Sequence, residues 1–232
     1  QLEHGFVAAS DFISEKQADK CPGFIEQLQV TGKLLPDDPR VQALFHHLIA
    51  NNVVITSTLS ALSRLTVADL PDDVIQLFDK DHLETHRRRV ALTHKPSVMT
   101  PVLRAAFVTE MALEKAFWEA GGQLVVGTDP SVASTIPGYA SLRSIELLVE
   151  AGIPPLEVIK IATLNGALAM GNASDRGSIA IGKRADLIVI NGNPAENIHD
   201  IHQVDRVFKA GVGYDPKALK DSSIGSIGGP GG

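Results

Sequence analysis

Cysteine is nearly absent from this chain: Cys21 is its only one, which excludes an internal disulfide and any zinc site built on several thiolates. Read alone, Cys21 is a buried or half-buried thiol that assigns no compartment. Long apolar runs are missing too. None approaches the roughly 18 residues needed to span a bilayer, and no basic-then-apolar leader opens the sequence. The chain therefore reads as soluble, with no membrane partner. Basic blocks are short: the longest is Arg87-Arg88-Arg89, and 21 Lys and Arg stand against 27 Asp and Glu for a formal net charge of −6. That balance argues against nucleic acid and suits a small-molecule partner. What the 232 residues do have is a globular composition, 44% hydrophobic against 21% charged. It is enough to bury a core in one large or two small domains.

Residues 1–6 lack an initiator Met and read as the tail of a strand already under way, so a segment upstream is expected. Helix-forming stretches over residues 11–30 are broken at Pro22-Gly23, and Asp37-Asp38-Pro39 opens a second helix that runs to about Asn51, its acids set in the first turn. Residues 53–58 are short and β-branched, and predict a strand whose hydroxyl-rich end faces a polar mouth. After a long mixed segment, with a helix from Pro71 to about Leu92, Thr100 reads as an N-cap with Pro101 in the first helical position. Leu103, Phe107 and Met111 mark one face of that helix, which should stop at Gly121-Gly122 before a strand over residues 123–127. Helix and strand alternate, so the fold class is α/β.

A polar loop, residues 130–138, is long enough to cover a pocket. Two helices follow, one carrying Leu142, Ile145, Leu148 and Val149, the other opening at Pro154-Pro155 and reaching Met170. Residues 177–212 then turn to short β-rich runs punctuated by glycine, a small all-β module, and residues 224–232 read as a frayed low-complexity tail.

Gly127-Thr128-Asp129 follows the apolar run Leu124-Val125-Val126 and places a carboxylate at the tip of a buried strand, where barrel enzymes keep their chemistry. On its own Asp129 is equally a turn aspartate before Pro130, and His4 near a chain end is by default exposed. Thr58 is by default a strand-end hydroxyl. His82 and His86 sit four apart on a helix, but Glu84 is misplaced for His-Glu-x-x-His, so they read as a solvated face. His46 and His47 are adjacent and diverge, Arg87-Arg88-Arg89 reads as a charged surface, and His199 and His202 fall in the β-rich module.

The order of five motifs carries more than any one of them. Glu3-His4-Gly5, a strand ending in Thr58-Leu59, Gly127-Thr128-Asp129, Ala162-Thr163-Leu164-Asn165-Gly166 and Gly177-Ser178-Ile179 with Gly182-Lys183 and Ala185-Asp186-Leu187 resemble the C-terminal half of the amidohydrolase superfamily, in its imidazolonepropionase-like and Xaa-Pro dipeptidase-like (prolidase) branch. The resemblance implies the C-terminal part of a TIM-like (β/α)8 barrel, about strands six to eight, over residues 1–175. Part of a small β-sandwich over residues 176–216 and a flexible glycine-rich tail over residues 217–232 would follow it. It implies one or two divalent metal ions, zinc above all, with His4 and Asp129 as ligands and Asp129 also moving the proton. The activity implied is hydrolysis of an amide C–N bond in a dipeptide, an acyl-amino acid or a cyclic amide, by metal-activated water. The family's His-x-His pair, its carboxylated Lys or Glu and its strand-five His have no counterpart here. The resemblance therefore leaves open a half-barrel completed by an N-terminal half, a homo-oligomer, or a non-catalytic subunit needing a partner chain.

Overall fold

A computed structural model describes residues 1–7, 9–14, 19–63, 70–93, 95, 97–130 and 135–228. Three short parallel strands form its centre: β1 (Leu2–Glu3), β2 (Val54–Ser57) and β3 (Gln123–Val126), in that order. Glu3 pairs with Thr56, and Ser57 with Val126, so the three C-terminal tips lie at one end. Parallel strands need long crossovers, and the helices supply them. Between β1 and β2 run α1 (Phe24–Thr31) and α2 (Pro39–Ala50). Between β2 and β3 run α3 (Leu59–Ser63), α4 (Asp72–Ile75), α5 (Lys80–Thr93) and α6 (Thr100–Glu119). After β3 come α7 (Tyr139–Glu150), α8 (Pro155–Lys160), a π-helical turn (Ile161–Asn165) and α9 (Gly166–Ala169).

Aromatic rings bind these layers together. Phe6, just past β1, packs its ring 5.1 Å from Phe45 of α2 and 5.5 Å from Phe117 of α6. Ile55 of β2, Leu124 of β3 and Leu148 of α7 are fully buried in the same cluster. The turn from α6 into β3 needs its glycines: Gly121 has φ 93°, and a Cβ on Gly122 would stand 2.4 Å from the Phe117 ring.

Several local expectations are corrected. Asp38 is the N-cap of α2, accepting from the Arg40 amide at 2.8 Å, so no acid lies in the first helical turn. Thr100 is the first residue of α6 rather than its cap, Met99 taking that place. The face of α6 turned to the sheet is Ala106, Glu110, Leu113, Glu114 and Phe117, and Leu103, Phe107 and Met111 are only half-buried. The single helix expected over residues 71–92 is divided into α4 and α5, because residues 76–79 bond the segment 225–227 instead (Ile227 amide to the Leu77 carbonyl 3.0 Å, Asp79 amide to the Ile227 carbonyl 3.0 Å). The expected tail accordingly holds a helix, α10 (Pro216–Ser222), and is docked as far as Ile227. His86 is buried at 3% exposure against Phe78, not on a solvated face, whereas His82 is exposed. Cys21 is exposed, lying in the irregular stretch before Pro22. The middle of the pocket-covering loop, residues 131–134, lies outside the described residues, as do His94 and Pro96.

The β-rich module is an antiparallel sheet of β4 (Leu187–Ile190), β5 (Val204–Lys209) and β6 (Val212–Tyr214). Ala210 and Gly211, both at positive φ, make the tight β5–β6 turn. A 3-10 helix (Ile198–His202) docks the module: Ile198 and Ile201 enter the main core. His199 and His202 each bond one oxygen of Glu146 on α7, at 2.8 and 2.9 Å.

Candidate functional site

The common end of the three parallel strands gathers the residues that the motifs singled out. The β1 chain stops abruptly there. His4 and Gly5 both take positive φ, 66° and 60°, and the Gly5 amide donates to the Thr56 carbonyl at 3.1 Å, closing the last rung of the ladder. This sharp turn leaves the His4 side chain exposed at the strand tip, with Nδ1 3.1 Å from Oγ1 of Thr58. Thr58 itself is buried at 4% exposure. A buried hydroxyl on Nδ1 restrains the ring plane and leaves Nε2 as the nitrogen available to a ligand.

At the tip of β3 the ladder runs one residue further, the Gly127 amide donating to the Ser57 carbonyl at 2.8 Å. Only glycine fits there, since a Cβ would sit 2.5 Å from Cγ2 of Thr56. Ser144 of α7, fully buried, donates to the Gly127 carbonyl at 3.1 Å and pairs with the Ser60 hydroxyl of α3 at 2.8 Å, tying the tip to two helices. Two residues on, Asp129 turns back at φ 42°, a left-handed conformation that aspartate tolerates better than most residues. It is half-buried. His4 and Asp129 thus cap the two outer strands on either side of Thr58, their strands about 10 Å apart. The π-helical turn holds the fourth motif against β3: Asn165 Nδ2 donates to the Leu124 carbonyl at 3.0 Å. π-turns within α-helices concentrate at functional sites.

An imidazole and a carboxylate at the same end of the two outer strands suit a divalent ion in kind. They fall short in number. Among the described residues no group of three or more His, Cys, Asp or Glu is arranged to hold a metal, and zinc takes three or four protein ligands.

Sequence reading passed over a second acidic pair beside this end of the sheet. Glu110 and Glu114 of α6 are both fully buried. The Phe6 amide donates to Glu110 Oε1 at 2.5 Å, whereas Oε2 of Glu110 and both carboxyl oxygens of Glu114 have no hydrogen-bond partner. Desolvation first, and then repulsion by Glu114, push the Glu110 carboxyl well above the usual carboxylate range, against the Phe6 amide. Desolvation pushes Glu114 to about 8, opposed by the adjacent Ser57 hydroxyl, which lies beside it short of full hydrogen-bond geometry. The available signal was helical phase: residues 110 and 114 share the stripe of Ala106, Leu113 and Phe117.

Known proteins resemble this chain in sequence and in fold. The sequence profile of the amidohydrolase family matches residues 66–213. The imidazolonepropionase of Shouchella clausii is 31% identical over 123 residues, covering 50% of this chain and 26% of that protein. The ochratoxinase of Aspergillus niger is 35% identical over 115 residues, covering 47% and 22%. A putative prolidase from Bifidobacterium longum superposes with a TM-score of 0.57 at 27% identity, covering 88% of this chain and 48% of that one. The chain thus spans 26% and 22% of the length of these two curated relatives. A family profile that covers more than half of the residues, on a fold shared with such hydrolases, places the chain in the amidohydrolase family, in its imidazolonepropionase- and prolidase-like branch.

Proposed function

We propose that this chain carries strands six to eight of a (β/α)8 metal-dependent hydrolase and part of its β-sandwich. The enzyme cleaves the C–N bond of an amide, in a dipeptide, an acyl-amino acid or a cyclic amide. The observation that carries the proposal is the convergence of His4 and Asp129 at one end of a parallel sheet in an amidohydrolase-family chain. The names of the relatives, imidazolonepropionase and prolidase, support a C–N bond as the target.

His4 through Nε2 would hold the more exposed of one or two divalent ions, zinc in the first instance, Asp129 through its carboxylate would touch the other where there are two, and other parts of the barrel would supply the remaining ligands. When bound, such an ion makes hydroxide available near neutral pH and polarises a carbonyl. The chain's own residues do the rest. Thr58 holds the orientation of the His4 ring through Nδ1. Ser144 and the packed Gly127 hold the tip that presents Asp129. The Asp129 carboxylate takes a proton from the attacking water and returns it to the leaving amine. In the enzyme carrying the whole barrel, Asp129→Asn should lower turnover of an acyl-amino acid or dipeptide by about 100-fold or more. Unchanged turnover and metal content would overturn the reading.

A second reading is favoured by the lack of a three-ligand cluster among the described residues. In it the chain is a non-catalytic half-barrel that folds against another polypeptide. Co-purification with a fragment bearing His-x-His, with activity restored in the complex, separates a split enzyme from an inert subunit.

A further inference from the structure

The turn that presents His4 is built from behind by side chains of two helices. Phe6 inserts its ring between Phe45 and Phe117, which fixes where the chain goes but not how the peptide between Gly5 and Phe6 is oriented. That orientation is set by Glu110, whose Oε1 accepts the Phe6 amide at 2.5 Å. The other side of the turn is closed by the same pair of acids: a Cβ on Gly5 would stand 1.9 Å from Glu110 Oε1 and 2.8 Å from Glu114 Oε1. One residue further, Thr31 of α1 donates to the Val7 carbonyl at 3.2 Å.

Burying two carboxyls at zero exposure costs several kcal/mol unless something is gained locally. Among the described residues three of their four oxygens have no hydrogen-bond partner, so the pair is not a self-satisfied network. The Glu110 bond to Phe6 goes to the backbone two residues beyond His4, in a turn where His4 and Gly5 both hold positive φ. Strain of this kind persists where neighbouring groups over-determine the conformation.

We infer that Glu110, backed by Glu114 against Gly5, is a positioning residue for His4: it clamps the His4-Gly5-Phe6 turn and so fixes the direction in which the imidazole leaves the strand tip. The inference rests on the proposed role of His4 for its functional meaning, but its structural content stands apart. Groups that orient a metal-binding histidine typically act on affinity by about 10–100-fold.

The test uses NMR of the enzyme carrying the whole barrel, with hydrogen exchange of the Phe6 amide and the His4 imidazole signals as readouts. Glu110→Gln keeps an oxygen acceptor for Phe6, and Glu110→Leu does not. Glu110→Leu should lose about tenfold of the Phe6 protection, shift the His4 ring signals and weaken Zn2+ binding followed on those signals by about tenfold or more. Glu110→Gln should restore all three. A folded Glu110→Leu chain with wild-type Phe6 exchange and His4 signals would overturn the inference. If that variant does not fold, Gly5→Ala presses on the same carboxyls from the turn side. Unmoved His4 signals there would overturn it equally. Failure of Zn2+ to reach His4 in the wild-type enzyme carrying the whole barrel counts against the proposed function instead, because the exchange readout requires no metal.

Discussion

Glu114 and Glu146 are glutamates placed in opposite environments, and each makes a different prediction for stability against pH. Burial raises the Glu114 carboxyl from 4.5 to about 8. A raised folded-state pKa means that the protonated form is favoured, so this contribution is complete below 4.5 and is lost as pH rises through 8. Glu114→Gln should flatten the alkaline decline by a few kcal/mol on the order-of-magnitude scale of such shifts, read by urea denaturation between pH 5 and 9. Glu146 runs the other way. Burial pushes it up, but hydrogen bonds from His202, His199 and Arg143 outweigh burial and bring it to about 2. Its contribution is present above 4.5 and is lost as pH falls through 2. His199 is 65% exposed, so solvent screening holds the loss on Glu146→Gln to about 1–2 kcal/mol. Acid denaturation of that variant beside the wild type measures it. At Gly127, alanine places a Cβ 2.5 Å from Thr56; overpacking of this kind costs about 1–3 kcal/mol.

At the scale of elements, strands and helices were legible where the sequence punctuates itself. Gly121-Gly122 after an amphipathic run marked the α6–β3 turn, and the β-branched Val54–Ser57 marked β2. What stayed hidden was set by tertiary contact. Nothing local announces that residues 76–79 pair with 225–227, and so nothing divided α4 from α5. The four-residue recurrence of Leu103, Phe107 and Met111 points to one face of α6, whereas the face that is buried carries Glu110 and Glu114, and the cost of burying two carboxyls is what hides it in the sequence. His4, Thr58 and Asp129 were each legible as strand-tip residues, but the His4–Thr58 bond spans 54 positions and follows only from strand order. The π-helical turn makes a testable element. Asn165→Leu removes the donor to the buried Leu124 carbonyl, and should destabilise by about 1–3 kcal/mol in chemical denaturation, more than the same change at an exposed helix position.

Over the whole molecule, the parallel sheet ends at β1 and β3, neither of which has a further strand partner among the described residues. The module sheet exposes Ile188 at 51%, Val189 at 46% and Val212 at 57%. Unpaired edges and an open apolar sheet favour association. Sedimentation velocity should show the isolated chain associating as concentration rises, and Val189→Lys with Val212→Lys should reduce it. No described helix is long and apolar enough to cross a membrane. A partner that completes the sheet would bring further ligands to the same end, and the metal site proposed here depends on that.

The most direct measurement is the position of the metal itself. Crystals of the enzyme carrying the whole barrel, grown with zinc and measured at its absorption edge, should show anomalous density, from one ion or two, about 2.0–2.2 Å from a His4 ring nitrogen and from an Asp129 carboxylate oxygen. A peak coordinated by neither residue, in an enzyme that still hydrolyses its amide, would contradict the account.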